Sequence, residues 1–449
     1  MKKTAKKTVA ATNARATKRR KPTKTTSRPF QPVTLLNVDI QLGEVVHPVG
    51  RLAWQDRRIL FEYARTFIER GLPISPFHLP VRAGVVYGDP AIFDGLMGVF
   101  NDSLPDGWGR LLLDRKLAQM GILAGALTPI DRLAYVGEAG AGALRYRPAH
   151  ERAHGIASID LDALAEDARS VLDGESSEVL DTLLDLGGSS GGARPKIVAA
   201  CSPDRTRLVT GKGVLRRGYS HWLIKFRSST DPADVGAIEY AYSAMARAAR
   251  IDMAPTHLFP ARSGAGYFGT ERFDRRGSAR VHVHSVCGLL KADFRIPSIG
   301  YVSLLKATRV LTRNQLEVDR MFRRMVFNVF ARNRDDHTKN HAFILEEDGT
   351  WHSSPAFDLT FSAGSGGEHA LDIAGEGRAP GLEHIAEVAR LAGVHADVAR
   401  SCVDQVKAAV DQWPAHASAS GVSAASAASI DLQLNGRRTA RRVRMLRSK

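Results

Sequence analysis

Two short stretches decide the fold of this chain: Asn-Arg-Asp-Asp-His-Thr-Lys-Asn at residues 333–340 and Pro-Ala-Phe-Asp-Leu at residues 355–359. The residues before the first stretch repeat apolar side chains at intervals of three and four. They are Val318, Met321, Phe322, Met325, Val326, Val329 and Phe330. This spacing predicts a buried amphipathic helix that ends near Ala331. The polar octet is therefore expected to be a loop that leaves a rigid core element.

The residues between the two stretches predict a β-hairpin. His341-Ala-Phe-Ile-Leu345 and Trp351-His-Ser-Ser354 have strand composition, and Glu347-Asp348-Gly349 lies between them as a turn. Such a hairpin reverses the chain and is expected to bring Asp358 back beside Asn340. The two stretches would then form one site.

The spacing of polar residues within this site is that of a protein-kinase catalytic loop. In such loops an Asp accepts the proton of the substrate hydroxyl, an Asn five positions later holds magnesium, and a later Asp completes the metal site. Asp335, Asn340 and Asp358 stand in these positions. Asp- and Asn-rich loops are also common as turns that hydrogen-bond their own backbone, so the octet alone leaves that reading open.

At these residues the sequence resembles the HipA family, the serine/threonine kinase toxins of bacterial toxin–antitoxin modules. Their loop, Asn-x-Asp-(Asp/Gly)-His-x-Lys-Asn, is matched from Asn333 to Asn340. The resemblance extends from about Thr34 to about Trp413. It includes Leu104-Pro-Asp-Gly-Trp-Gly-Arg110, Tyr135-Val-Gly-Glu138, the Gly-rich stretch at Gly187 and Glu271-Arg-Phe-Asp-Arg275.

The resemblance implies an α+β, protein-kinase-like fold of two lobes, with an additional N-terminal subdomain and a helix-rich C-terminal lobe. We expect a disordered basic tail over residues 1–29, the N-terminal subdomain over 30–150 and the kinase-like catalytic region over 151–413. After Trp413, the Ala/Ser-rich run through Ser429 predicts a linker, so that 414–449 would be a linker and a basic C-terminal tail.

The Gly-rich stretch Gly187-Gly-Ser-Ser-Gly-Gly-Ala-Arg-Pro-Lys196 is a candidate phosphate loop. Consecutive glycines such as Gly191 and Gly192 let backbone amides approach a phosphate closely. The stretch is not a Walker A motif, which requires Gly-Lys-Ser/Thr at its end; a flexible interdomain linker is the alternative. The resemblance implies that Ser189 is an autophosphorylation site, with Ser190 as the alternative, whereas Arg194-Pro195-Lys196 departs from the family's Gln-x-Lys.

Lys225 is a second candidate for phosphate binding. It lies in the strand-like run His221-Trp-Leu-Ile-Lys-Phe226, which is similar to the Val-Ala-Ile-Lys strand of kinases. An edge-strand lysine that reaches solvent is the alternative. The resemblance further places the adenine hinge at Glu271 to Phe273, although Glu271-Arg272 is equally consistent with a surface ion pair.

The remaining candidates are histidines, a lysine and glycines. His337 and Lys339 belong to the catalytic loop, and we expect them to orient phosphate or Asp335. His282 and His284 alternate on one strand face, but without a nearby carboxylate or cysteine pattern a structural role is favoured. The glycine-rich segment Gly364 to His369 is a candidate activation-loop equivalent.

The net charge of +16 belongs to the two ends of the chain. Residues 1–29 contain 11 Lys/Arg and residues 436–449 contain 7, neither with an acid, so the body carries 45 basic against 47 acidic residues. Such tails predict disorder and contact with nucleic-acid phosphates without sequence readout. Solubilising tails or expression aids are the alternative.

The composition favours a large cytoplasmic protein. The three cysteines, Cys201, Cys287 and Cys402, are widely spaced and indicate neither a disulfide framework nor a zinc site. The sequence shows no apolar run of the roughly 20 residues that a transmembrane helix requires, and no signal-peptide segment. We therefore expect a cytoplasmic location and no membrane partner.

These observations predict transfer of the ATP γ-phosphoryl group to a protein Ser/Thr hydroxyl, with Mg²⁺ and ATP as cofactors. Asp335 is expected to be the base, Asn340 and Asp358 the metal ligands, and Lys225 the phosphate clamp. The resemblance implies an aminoacyl-tRNA synthetase as target and a HipB-like DNA-binding antitoxin as partner. The alternatives are an antitoxin- and DNA-binding co-repressor or inactive kinase, and a small-molecule kinase.

Overall fold

The N-terminal part of the chain folds around a five-stranded antiparallel sheet. The computed structural model describes residues 32–149, 157–174, 179–188, 191–211 and 215–447. The sheet has the order β4-β3-β2-β1-β5, formed by β1 (Leu35–Leu42), β2 (Val45–Gln55), β3 (Arg58–Tyr63), β4 (Val85–Tyr87) and β5 (Leu144–Arg147). In β1 the buried apolar side chains are Leu36, Val38, Ile40 and Leu42, the alternation of a strand with one face on a core.

The helices that accompany this sheet are α1 (Arg65–Arg70), α2 (Gly98–Asn101), α3 (Gly107–Gln119) and α4 (Pro129–Val136). The start of α4 is fixed by a capping box between Thr128 and Asp131. Asp131 also accepts a hydrogen bond from the Val33 backbone amide at 2.7 Å, so the same carboxylate ties the beginning of the described chain to the helix.

A second five-stranded sheet has the order β7-β6-β8-β10-β9, and all its described pairings are antiparallel. Its strands are β6 (Lys196–Cys201), β7 (Leu208–Thr210), β8 (Ser220–Lys225), β9 (Thr256–Phe259) and β10 (Tyr267–Glu271). The helices α5 (Leu161–Asp173), α6 (Leu180–Gly187) and α7 (Val235–Ala248) belong to the same region. Because β8 lies between β6 and β10, Lys225 is on a central strand, and the edge-strand alternative is wrong.

Helix α3 and the second sheet share one hydrophobic core. Trp108 is 1% exposed and packs in a cluster that includes Leu112 of α3, Leu183 of α6 and Ile224 of β8. Its indole nitrogen also donates to the Lys196 carbonyl at 3.1 Å. The N-terminal helix α3 is thereby fixed against the sheet that carries the candidate site.

The remaining part is rich in helices. Its elements are β11 (Arg275–Arg276), β12 (Ala279–Arg280), β13 (His282–Ser285), α8 (Val286–Leu290), α9 (Tyr301–Thr312), α10 (Gln315–Phe330), β14 (Ala342–Leu345), β15 (Trp351–Ser353), α11 (Leu382–Ala392) and α12 (Ala396–Asp411). The predicted amphipathic helix is α10, with Asn314 as its N-cap and Ala331 as its C-cap. The predicted hairpin is β14–β15, in which Phe343 pairs with Ser353 and Leu345 with Trp351. Both predictions are confirmed.

The predicted linker after Trp413 is wrong for the residues that the structure describes. Two helices occupy the region: α13 (Trp413–Ala419) and α14 (Ala424–Arg447). Trp413 is fully buried and donates from its indole to the Ala427 carbonyl at 3.0 Å, while Ile430 is 5% exposed. Alanine has the highest helix propensity, so an Ala/Ser-rich run becomes helical when a core covers one of its faces. The tail at 1–29 and the connection at 150–156 lie outside the described residues.

Substitutions at Ile430 and Leu432 test whether α14 packs on the core. We expect Ile430→Ala to lower the free energy of unfolding by about 2 kcal/mol, because it removes buried methyl groups and leaves a cavity. Leu432→Ala, in the same helix but 67% exposed, should change it by no more than about 0.5 kcal/mol. Chemical denaturation measures both. Equal, negligible effects would restore the linker interpretation.

Candidate functional site

The polar octet is held at its start by the end of α10. The Asn333 backbone amide donates to the Asn328 carbonyl at 3.0 Å, and its side-chain amide donates to Oδ1 of Asn328 at 3.0 Å. Arg332 between them has a φ of 52°, the left-handed conformation that lets the chain leave the helix abruptly. The octet therefore starts from a fixed position.

The two adjacent carboxylates of the octet have opposite environments. Asp336 is buried and accepts hydrogen bonds from the Tyr301 hydroxyl at 2.7 Å, from the Ala370 amide at 2.8 Å and across 2.9 Å from His369. The side chain of Asp335 is 66% exposed. Asp336 anchors the loop, whereas Asp335 is accessible to a second molecule, as a general base must be.

Asp335 is held in place through its backbone. Its carbonyl accepts a hydrogen bond from the Asn340 side-chain amide at 2.7 Å, which closes the loop on itself. His337 lies 3.8 Å from the Asp335 carboxylate, and its ring packs on Phe294 with centroids 5.3 Å apart. Nδ1 of His337 is buried and has no hydrogen-bond partner among the described residues. This ring nitrogen is therefore left without a partner within the described fold.

Lys225 joins the sheet to the second motif. Its ammonium lies 2.7 Å from Oε2 of Glu239 on α7 and forms a short ion pair with Asp358. Burial alone would lower the pKa of Lys225, but the carboxylates of Asp358 and Glu239 outweigh it and raise that pKa. The lysine therefore remains charged although it is only 9% exposed.

Asp358 follows the hairpin and adopts a left-handed backbone with a φ of 52°. A non-glycine residue in this region is uncommon and clusters at functional sites. Burial would raise the pKa of its carboxyl, but Lys225 and Lys196 outweigh that effect and lower it. Asp358 is thus an ionised oxygen donor beside two lysines.

The sequence prediction missed Glu239. Its Oε1 accepts from Arg194 and its Oε2 from Lys225, so one carboxylate joins the end of the Gly-rich stretch to β8. Arg194 also lies 3.0 Å from Asp231. Glu239 lies inside a helix with no local signature, and only knowledge of a Lys–Glu pairing in kinase folds would have pointed to it.

The described part of the Gly-rich stretch is held on two sides. The Gly192 amide donates to Asp106, and Lys196 donates to the Gly191 carbonyl. Burial lowers the pKa of Lys196 to about 8, against the opposing effect of the Asp358, Asp106 and Glu239 carboxylates. Ser189 and Ser190 lie outside the described residues, so their position as an autophosphorylation site stays a prediction.

Lys339 does not contact Asp335. Its ammonium lies 2.5 Å from Oδ2 of Asp106 and 4.9 Å from the centre of the Phe294 ring. Asp106 belongs to the Leu104–Arg110 motif, for which the sequence analysis predicted no role in the site. The structure brings that motif into the candidate site.

The predicted hinge lies at the end of β10. Glu271 pairs with Trp222 of β8, and Phe273 packs on Phe357, next to Asp358, with ring centroids 5.7 Å apart. The alternative Glu271–Arg272 ion pair is wrong, because Arg272 pairs with Asp274 at 2.6 Å. The predicted hinge segment therefore contacts Phe357, the residue directly before Asp358.

Asn340 and Asp358 offer the amide and carboxylate oxygens that Mg²⁺ accepts. In the described chain, no group of three His, Cys, Asp or Glu side chains could hold a metal ion. In kinase sites, substrate phosphates complete the coordination of a metal ion that few protein side chains hold. His282 and His284 contact the Ile74 carbonyl and the Asp102 carboxylate, respectively.

No helix among the described residues is long and apolar enough to cross a membrane.

The structure is similar to a solved HipA of Shewanella oneidensis MR-1, from a toxin–antitoxin complex with HipB and operator DNA. The TM-score is 0.66 at 17% identity, covering 89% of this chain and 96% of that chain. The Helicobacter pylori proinflammatory kinase CtkA reaches a TM-score of only 0.28 at 11% identity, over 47% of this chain and 92% of that chain, which is too low to indicate a common fold. No curated protein matches.

The α+β, protein-kinase-like fold class predicted from the sequence is confirmed. Residues 39–147 match the model of the HipA N-terminal domain, and residues 188–413 match that of the HipA-like C-terminal domain. The second match alone spans half of the chain, and the chain therefore belongs to the HipA family.

Proposed function

We propose that this protein is an ATP-dependent serine/threonine protein kinase that acts as the toxin of a toxin–antitoxin system. The observation that carries the proposal is the ion-pair arrangement in which Lys225 contacts both Glu239 and Asp358. A strand lysine paired with a helix glutamate, beside a metal-binding aspartate, is the arrangement that protein kinases use to bind nucleotide phosphates. Asp335 supplies an exposed carboxylate in the polar octet that precedes the β14–β15 hairpin.

The residues take distinct roles in this proposal. Lys225 holds phosphate oxygens, and Glu239 keeps its ammonium in place. Asn340 and Asp358 bind the metal ion, while Asp335 accepts the proton from the attacking hydroxyl. MgATP, when bound, supplies the γ-phosphoryl group, and its Mg²⁺ neutralises part of the charge on the phosphates.

Other predicted site residues support nucleotide binding. The backbone from Glu271 to Phe273 forms the adenine-binding hinge, and the amides of Gly191 and Gly192 approach the phosphates. His337, with its unpartnered buried Nδ1, and Lys339 orient the phosphate chain. Most of the rate then derives from positioning and from charge neutralisation by residues that the fold already fixes.

The partners follow from family membership. The Shewanella oneidensis HipA was solved with HipB and operator DNA, and we propose a HipB-like DNA-binding antitoxin for this protein as well. An aminoacyl-tRNA synthetase is the proposed phosphoacceptor, because its phosphorylation would stop translation and growth. A comparison of phosphoproteomes before and after induced expression tests this target; no change in any synthetase would contradict it.

Asp335→Ala and Asp358→Ala test the proposed chemistry. Asp335→Ala should lower phosphoryl transfer by about 10²–10⁴-fold and abolish growth inhibition while leaving MgATP binding largely intact. Asp358→Ala should also weaken MgATP binding, because it removes a metal ligand and one partner of Lys225. Radiolabelled transfer and calorimetric titration measure these effects.

The control for this pair is Asp336→Ala. Its buried carboxylate is hydrogen-bonded by Tyr301 and the Ala370 amide, so the variant should lose stability as well as activity. Asp335→Ala, at an exposed side chain, should keep the melting temperature of the wild type. Toxicity that persists in folded Asp335→Ala and Asp358→Ala proteins would contradict an enzymatic toxin.

Autophosphorylation of Ser189 or Ser190 is expected to inactivate the kinase. A phosphoserine adds a charge of about −1.5 to −2 at neutral pH, and it would stand in the loop that approaches phosphates of the same sign. Mass spectrometry after incubation with MgATP should find phosphate on one of these serines. An active enzyme with neither serine modified would rule the mechanism out.

The basic ends are expected to contact nucleic acid. Deletion of residues 1–29, which carry 11 Lys/Arg, should weaken DNA binding and reduce the slope of log K against log salt by about 0.9 for each phosphate that the protein no longer neutralises. Phosphoryl transfer should be unaffected. An unchanged salt slope would mean that residues 1–29 serve solubility and do not contact DNA. DNA binding by a protein that does not bind ATP would instead favour the co-repressor alternative.

A further inference from the structure

The beginning of α3 contacts the Gly-rich stretch directly. The Trp108 amide donates to the Gly192 carbonyl at 3.0 Å, and the Trp108 indole donates to the Lys196 carbonyl at 3.1 Å. Gly107, which precedes Trp108, has a φ of 43°, and a Cβ there would lie 2.5 Å from the Gly192 carbonyl oxygen. The N-terminal subdomain and the candidate phosphate loop are thus in backbone contact.

Asp106 occupies the centre of this contact. Its Oδ1 accepts from the Gly192 amide, its Oδ2 lies 2.5 Å from the Lys339 ammonium, and the residue is only 8% exposed. Burial would raise the pKa of its carboxyl, but Lys339, the Gly192 amide and Lys196 outweigh burial and lower it. A carboxylate anion therefore sits where a loop amide and a lysine converge.

These donors are the types that hold a phosphate group. Glycine-loop amides and lysine ammoniums bind phosphate oxygens by charge-assisted hydrogen bonds. We propose that Asp106 is an internal occupant of a phosphate subsite, which the nucleotide must displace from the Gly192 amide and from Lys339. The inference rests on the proposed nucleotide binding and adds a competing group supplied by the N-terminal subdomain.

The exchange has an energetic consequence. Asp106 and a nucleotide phosphate are both anions, so they compete for Lys339 and repel each other at short distance. Displacement also strains the backbone contact at Gly107 and Trp108, where no side chain separates α3 from the loop. Nucleotide affinity is therefore coupled to the position of α3, and a partner that moves the N-terminal subdomain would change it.

Asp106→Asn tests the competition. The substitution keeps the size of the side chain and removes its charge, so Mg²⁺ with the non-hydrolysable analogue AMP-PNP should bind about tenfold more tightly. Asp114→Asn is the matched control, because it removes a charge from α3, the helix that Asp106 precedes, at ion pairs with Arg132 and Arg110; its affinity should equal that of the wild type. Calorimetric titration measures all three proteins.

The outcomes separate this inference from the proposed function. A wild type that does not bind the analogue contradicts the nucleotide site itself. A wild type that binds, with Asp106→Asn binding equally or more weakly, overturns the competition alone and makes Asp106 a positioning residue. In a Lys339→Met background the gain from Asp106→Asn should shrink, and an equal gain in both backgrounds would exclude exchange at Lys339.

A measurement on the unmodified protein covers the case in which Asp106→Asn does not fold. Binding of the analogue should speed hydrogen exchange in residues 106–113, because displacement of Asp106 loosens the bond from the Trp108 amide to Gly192. Slower or unchanged exchange in this segment, with the analogue bound, would overturn the inference.

Discussion

The candidate site depends on the burial of one ammonium group. Lys225 lies on a central strand and is only 9% exposed, so its charge requires compensation close by. Glu239 comes from α7 and Asp358 from the chain after the hairpin, and both reach the same nitrogen. Removal of either partner would leave a buried charge underpaired, which typically costs about 3–5 kcal/mol. This requirement positions three separate chain segments relative to one another.

The same logic extends to the N-terminal subdomain. Asp102 accepts from the Ser285 amide and hydroxyl at 2.7 and 2.6 Å, which ties the end of α2 to β13 and α8. Four residues later, Asp106 reaches Lys339 in the polar octet. The short connection between α2 and α3 thus supplies two carboxylates to the part of the chain that carries the candidate site. The N-terminal subdomain is part of the site and not an appendage to it.

Sequence patterns predicted the features that local chemistry determines. The period of apolar residues gave α10, and the Glu-Asp-Gly turn gave the β14–β15 hairpin, because both depend on neighbours within a few residues. Glu239 and Asp106 were missed because their partners lie 14 and 233 residues away. The segment after Trp413 was wrongly predicted as a linker, because composition does not report whether a core such as that around Ile430 covers one face of the helix.

Asp335 and Asp336 show why the missing information is tertiary. The two residues are identical and adjacent, and in the sequence only the distance of five positions to Asn340 distinguishes Asp335. Tyr301 and His369, which are distant in sequence, surround Asp336 and make it a buried anchor, whereas the Asp335 side chain is 66% exposed. The proposed base is therefore the exposed member of a pair whose other member is buried. Spacing to Asn340 selects Asp335, and the packing of Asp336 gives the physical reason, because it leaves Asp335 as the exposed acid of the two.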